Sequence, residues 1–104
     1  MVHAEISIYP MGTQSTSASF YIAKSIEAIR GLEGVRHEIT PMGTLLEART
    51  LGEIFEAADM MCEAVHNLGV GRVEVVLKVD SRRDKAQSMD DKMGSVKKHL
   101  GQDI

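Results

Sequence analysis

The chain has 104 residues, 43% hydrophobic and 26% charged, which suits one ordinary globular domain spanning 1–104 and is too short for two. Twelve basic and 15 acidic residues are interspersed for a net charge of −3, so no broad positive field exists to hold a nucleic-acid backbone. A single cysteine, Cys62, excludes an internal disulfide framework and argues against a structural zinc site.

No run approaches the roughly 18 to 20 apolar residues of a membrane helix, and the opening "MVHAEISIYP" carries an acidic residue where a signal peptide would carry basic ones. The expected location is the cytoplasm, with no membrane partner.

In chain order, "VHAEISIY" alternates. Val2, Ala4, Ile6 and Ile8 share one face, with His3, Glu5, Ser7 and Tyr9 on the other, which predicts a first strand. Over 17–32 the apolar positions Ala18, Ile22, Ile26 and Ile29 fall at helical spacing, and Gly31 and Gly34 supply stops. "VRHEIT" (35–40) and "TLLEAR" (44–49) alternate again around Pro41-Met42-Gly43 and predict a hairpin. Thr50 and Glu53 have capping-box spacing, and Ile54, Ala58, Met61, Val65 and Leu68 then mark a helical stripe ending at Gly69. "RVEVVLKVD" (72–80) predicts the last strand, and a short helix from about Ser88 would bury Met89, Met93, Val96 and Leu100.

This order predicts an α+β, ferredoxin-like βαββαβ sandwich: a four-stranded antiparallel sheet, two helices on one face and a short C-terminal helix. The opposite sheet face then collects Glu5, Ser7, Tyr9, Arg36, Glu38, Leu45, Glu47, Arg49, Glu74, Val76 and Lys78. Such a face is either solvated, as antiparallel sheets tolerate, or an oligomer interface enclosing a polar pocket.

The motif PMGT occurs twice, with Pro10 and Pro41 opening its copies. Proline fixes φ and lacks a backbone donor, so each copy can end a strand, and the glycine that follows can enter left-handed space. The first leads into a hydroxyl cluster, "TQSTS", where Ser15, Thr16 or Ser17 can cap the first helix and leave amides facing a polar ligand. The second sends Glu47 onto the polar face beside Glu5, so both corners can border one pocket.

Together, "AEISIYPMGTQSTS", "ITPMGTLLEA" and "KVDSRRDKAQSMDDKMGSV" resemble, in the same order, the thiamine-binding protein family of the YkoF-like superfamily. The resemblance implies a homo-oligomer, commonly a dimer of dimers, that binds thiamine or its hydroxymethylpyrimidine moiety without catalysis and with no further cofactor. A carboxylate suits an aminopyrimidine, accepting from its amino group and from a protonated ring nitrogen. Matched to the motifs, Glu5, Thr13, Ser17, Thr44 and Glu47 are the expected ligand contacts, with Tyr9 or Phe20 available as an aromatic face. Ala48 stands where the family motif commonly has glycine, which would narrow the pocket or shift the strand.

Other constellations carry less. Cys62 and His66 stand four apart without a third metal ligand, and His3, His37 and His99 are expected at the surface or an interface. "DSRRDK" (80–85) reads as a solvated turn or salt-bridge cluster, or as a phosphate contact through Arg82 and Arg83. Catalysis on this fold is the rival class, but "PMGTQSTS" lacks the arginine an acylphosphatase loop needs, and no serine or cysteine stands in a nucleophile motif. A ligand-sensing regulatory module for another small molecule is the second alternative.

Overall fold

The computed structural model describes residues 1–101. Strand alternation produces one sheet from β1 (Val2–Met11), β2 (Arg36–Thr40), β3 (Gly43–Ala48) and β4 (Arg72–Ser81), in the antiparallel order β2-β3-β1-β4. Helices α1 (Ser19–Ile29), α2 (Leu51–His66) and α3 (Met89–His99) complete the βαββαβα order. This is the ferredoxin-like arrangement expected from the sequence.

The core follows from the period of two. Val2, Ala4, Ile6 and Ile8 of β1 lie beside Leu46 and Ala48 of β3, and all are buried. Ile26 and Ile29 of α1 and Ile54, Ala57, Met61 and Val65 of α2 close over them. Each of the Val, Ile, Leu and Met side chains among them contributes about 1.5–3 kcal/mol when fully buried. The α2 stripe is anchored by its capping box: Thr50 Oγ1 accepts from the Glu53 amide at 3.2 Å, and Glu53 Oε1 accepts from the Thr50 amide at 3.2 Å.

The first corner behaves differently from expectation. β1 does not stop at Pro10 but continues to Met11, pairing with β4. Pairing with β3 ends at Ile6 opposite Thr44, so beyond it β1 has only β4 as a neighbour. Proline is tolerated at such an edge. Gly12, at φ +76°, then makes the turn.

Nor do the hydroxyls that follow cap α1. Its N-cap is Ala18, without a side-chain hydrogen bond. Thr13 Oγ1 donates to Ser15 O at 3.0 Å, the Ser17 amide donates to Ser15 Oγ at 3.0 Å, and Ser17 Oγ lies 3.0 Å from Ser19 Oγ. Local side-chain to backbone turns have taken these groups before the helix begins.

At the second corner the Thr40 hydroxyl does the turning, accepting from the Gly43 amide at 3.1 Å and donating to the Gly43 carbonyl at 2.6 Å. Gly43 needs no left-handed backbone. A Cβ there would lie 3.1 Å from Ser7 Oγ and 3.2 Å from the Ile6 carbonyl, so glycine serves close strand approach.

The last helix departs most from its reading. Of the expected stripe only Met89 is buried, while Met93, Val96 and Leu100 are 56%, 55% and 63% exposed. α3 does not join α1 and α2. Its first turn is tied to residues of the opposite, polar sheet face, and among the described residues no apolar layer there receives the rest of its stripe.

Candidate functional site

Strand register arranges the polar face in rows that cross the sheet. The first row is Arg36, Glu47, His3 and Asp80, from β2, β3, β1 and β4 in turn. The second is Glu38, Leu45, Glu5 and Lys78. Beyond it, Thr40 pairs with Gly43 and Ser7 with Val76.

The first row is covered by the start of α3. Glu47 is buried, and its Oε1 lies 3.0 Å from His3 Nε2 and accepts from the Met89 amide at 2.9 Å. Its Oε2 accepts from Arg36 Nη1 at 3.5 Å, and the same nitrogen donates to Asp90 at 3.3 Å. Lys92 Nζ donates to Asp80 at 2.6 Å, which holds the Asp80 carboxyl below the usual range. Asp91 is likewise lowered by closing a second capping box with Ser88, accepting from its amide at 2.9 Å. A buried carboxylate surrounded by donors is satisfied where it stands.

The second row is open. With Met93, Gly94 and Lys97 of α3 it lines a cavity of about 680 Å³. Leu45 is half-buried in the floor, flanked by Glu38 and Glu5. These two carboxylates make no ion pair or hydrogen bond among the described residues. They stand on strands two apart, so roughly 10 Å separates their backbones. An apolar floor between two free carboxylates suits a small, flat ligand carrying donors or positive charge.

The five expected contacts do not converge. Glu5 lines the open cavity. Glu47 lies in the neighbouring row with its oxygens engaged by His3, Met89 and Arg36. Thr44 pairs with Ile6 and is buried on the helix side, in a separate crevice of about 250 Å³ under the Pro41–Met42 turn. Thr13 and Ser17 belong to the loop after β1, bonded to Ser15 in that loop and to Ser19 at the start of α1. The two PMGT corners therefore do not border the open cavity.

Several residues escaped the sequence reading. His3, expected at the surface or an interface, is buried beneath α3 within the chain. Glu38 and Lys78 were placed on the polar face but not in a site, because only register shows that they share a row with Glu5. The Ser88–Asp91 capping box was legible as S-x-x-D ahead of a helical stretch.

Elsewhere, His66 Nδ1 lies 2.8 Å from the Val70 carbonyl, and burial with nearby Glu63 and Asp59 pushes the Cys62 thiol up. A raised thiol is a poor nucleophile and a poor metal ligand at neutral pH. Among the described residues no three His, Cys, Asp or Glu side chains group as metal ligands, and no helix is long and apolar enough to cross a membrane.

Fold and site together define a small ferredoxin-like protein whose polar sheet face, half roofed by a C-terminal helix, holds a ligand-sized cavity. The sequence matches the family model described as thiamine-binding protein over residues 4–97, and the chain belongs to that family. It is 47% identical to a UPF0045 protein of Methanothermobacter thermautotrophicus over 100 residues, covering 96% of this chain and 100% of the other. It is 34% identical to the UPF0045 protein YqgV of Bacillus subtilis, covering 96% and 98%. Among solved structures, the hypothetical protein MJ1052 of Methanocaldococcus jannaschii superposes with a TM-score of 0.82 at 37% identity, covering 91% of this chain and 94% of that one. A Thermotoga maritima protein, described as a candidate thiamine biosynthesis/salvage protein, shares the fold with a TM-score of 0.74 at 19% identity, covering 91% and 97%.

Proposed function

We propose that this protein binds thiamine or its hydroxymethylpyrimidine moiety, without catalysis and with no further cofactor, in the open cavity between the sheet and α3. The observation that carries this reading is the row Glu38–Leu45–Glu5, two carboxylates without an ion pair or hydrogen bond among the described residues on either side of an apolar floor. Glu5 accepts from the aminopyrimidine, whose protonated ring nitrogen adds a charge-assisted bond. Glu38 faces the thiazolium cation, and Leu45 and Met93 cover the ring faces. Glu47 acts indirectly, holding α3 over the cavity through Met89. Membership of the thiamine-binding protein family, and a Thermotoga maritima fold neighbour that is a candidate thiamine biosynthesis/salvage protein, both support a thiamine-related ligand.

The working form is a cytoplasmic homo-oligomer, a dimer of dimers, used for carriage, storage or sensing. Its support is the half of the polar face that α3 leaves bare, where Tyr9 and Val76 are 49% and 59% exposed on a sheet surface. Light scattering at micromolar concentration tests the assembly, and a mass of one chain contradicts it. Isothermal titration with thiamine and with hydroxymethylpyrimidine tests the ligand, and no saturable heat from either contradicts the reading.

A further inference from the structure

At the end of the sheet away from the PMGT corners, where β1 begins and β3 and β4 finish, lies another cavity of about 430 Å³. Arg49, Arg82, Arg83 and Lys85 line it, and among the described residues no carboxylate does. In a chain of net charge −3, four of the 12 basic residues thus meet in one concavity.

The loop that supplies three of them is braced. Arg82 donates to both Asp84 oxygens at 2.8 and 3.1 Å and to Gln87 Oε1 at 3.3 Å, and Gln87 is buried. Asp84 thereby offsets part of the Arg82 charge from outside the cavity, and Lys85 acts electrostatically on Asp84 and Asp91. Arg49 and Arg83 make no ion pair or hydrogen bond among the described residues. At the adjacent start of α2 the Thr50 and Glu53 amides are already taken by the capping box.

We propose that this cleft binds a small molecule through two linked phosphates, gripped by Arg49, Arg83 and Lys85 and oriented by the braced Arg82. Guanidinium groups present paired donors that match phosphate oxygens, and adjacent uncompensated cations repel one another until an anion arrives. Several cations around one concavity favour a diphosphate over a single phosphate. The cleft and the thiamine cavity share no described lining residue, although they are neighbours along β1 and β4, where Val2 and Ser81 line the one and His3 and Asp80 the other. The inference is therefore independent of the ligand proposed for that cavity.

The test is titration of the full chain, at low and at moderate ionic strength, with inorganic pyrophosphate, orthophosphate and thiamine diphosphate. Wild type is compared with Arg49→Ala, Arg83→Ala and Glu5→Gln. The expected result is saturable pyrophosphate binding, at least tenfold tighter than orthophosphate and weakened by salt. Each arginine variant should lose about tenfold or more with melting temperature unchanged. Thiamine diphosphate should retain at least the pyrophosphate affinity in Glu5→Gln. The proposal is overturned if pyrophosphate gives no saturable heat up to millimolar concentration at low salt, or if both arginine variants bind it as wild type does. It is also overturned if thiamine diphosphate loses all binding in Glu5→Gln, which would assign the phosphates to the other cavity.

Discussion

Glu47 Oε1 accepts the Met89 backbone N–H at 2.9 Å, joining the middle of the sheet to the first residue of α3 across 42 positions of sequence. His3 and Arg36 complete the carboxylate's surroundings, so this side chain, together with the Arg36–Asp90 and Lys92–Asp80 pairs, ties the C-terminal helix to the polar face. Glu47→Gln keeps the shape but turns an amide donor toward groups that already donate. Removing one member of a buried charged network typically costs about 3 kcal/mol or more. Urea unfolding of Glu47→Gln should show a loss of that size without any ligand present; an unchanged midpoint would remove Glu47 from the role of latch.

Acid should loosen the same helix. Asp80 is held low by Lys92, and Asp91 by the Ser88 cap. A carboxyl whose folded pKa lies below its unfolded value of about 3.9 stabilises the folded form above that pH and loses this as pH falls through the folded value. Hydrogen exchange of α3 amides should therefore accelerate, relative to those of α2, below about pH 4. Equal protection of the two helices from pH 6 to pH 3 would contradict the assignment.

The α2 cap offers a local test. Thr50 Oγ1 accepts the Glu53 amide, and Thr50→Ala leaves that amide unpaired at a cost of about 1 kcal/mol. Chemical denaturation should report it, whereas no change would mean that water replaces the hydroxyl at no cost. In the core, Ile54→Ala removes a fully buried side chain between α2 and the sheet and should cost about 2–5 kcal/mol by the same measurement. A loss under 1 kcal/mol would show that the site collapses around the gap.

How much of this was legible depends on which force decided each element. Strands β1 to β4 and the stripe of α2 were readable because one buried face imposes a period of two or 3.6 on the residues. The packing of α3 was not. Met89, Met93, Val96 and Leu100 declare a stripe, but periodicity is silent about what covers it, and polar ties from Met89, Asp90 and Lys92 chose the opposite sheet face. The candidate site divides the same way. Glu5 was readable by alternation, and the same alternation separates Thr44 from Glu47, three residues on and hence on the other face. Glu38 joins Glu5 only through the pairing of both with Leu45, a long-range register that one strand's sequence does not contain.

The most direct test of the account is isothermal titration of wild type and Glu5→Gln with hydroxymethylpyrimidine and thiamine, each variant's melting temperature being measured alongside. A charge-assisted hydrogen bond contributes roughly 1.5–3 kcal/mol, so the account predicts saturable binding by wild type and at least tenfold weaker binding by Glu5→Gln. The melting temperature should be unchanged, because Glu5 is exposed and bonds to no other described side chain. Equal affinity in the two proteins, or no binding by either, would contradict the placement of a thiamine-type ligand on the Glu38–Leu45–Glu5 row.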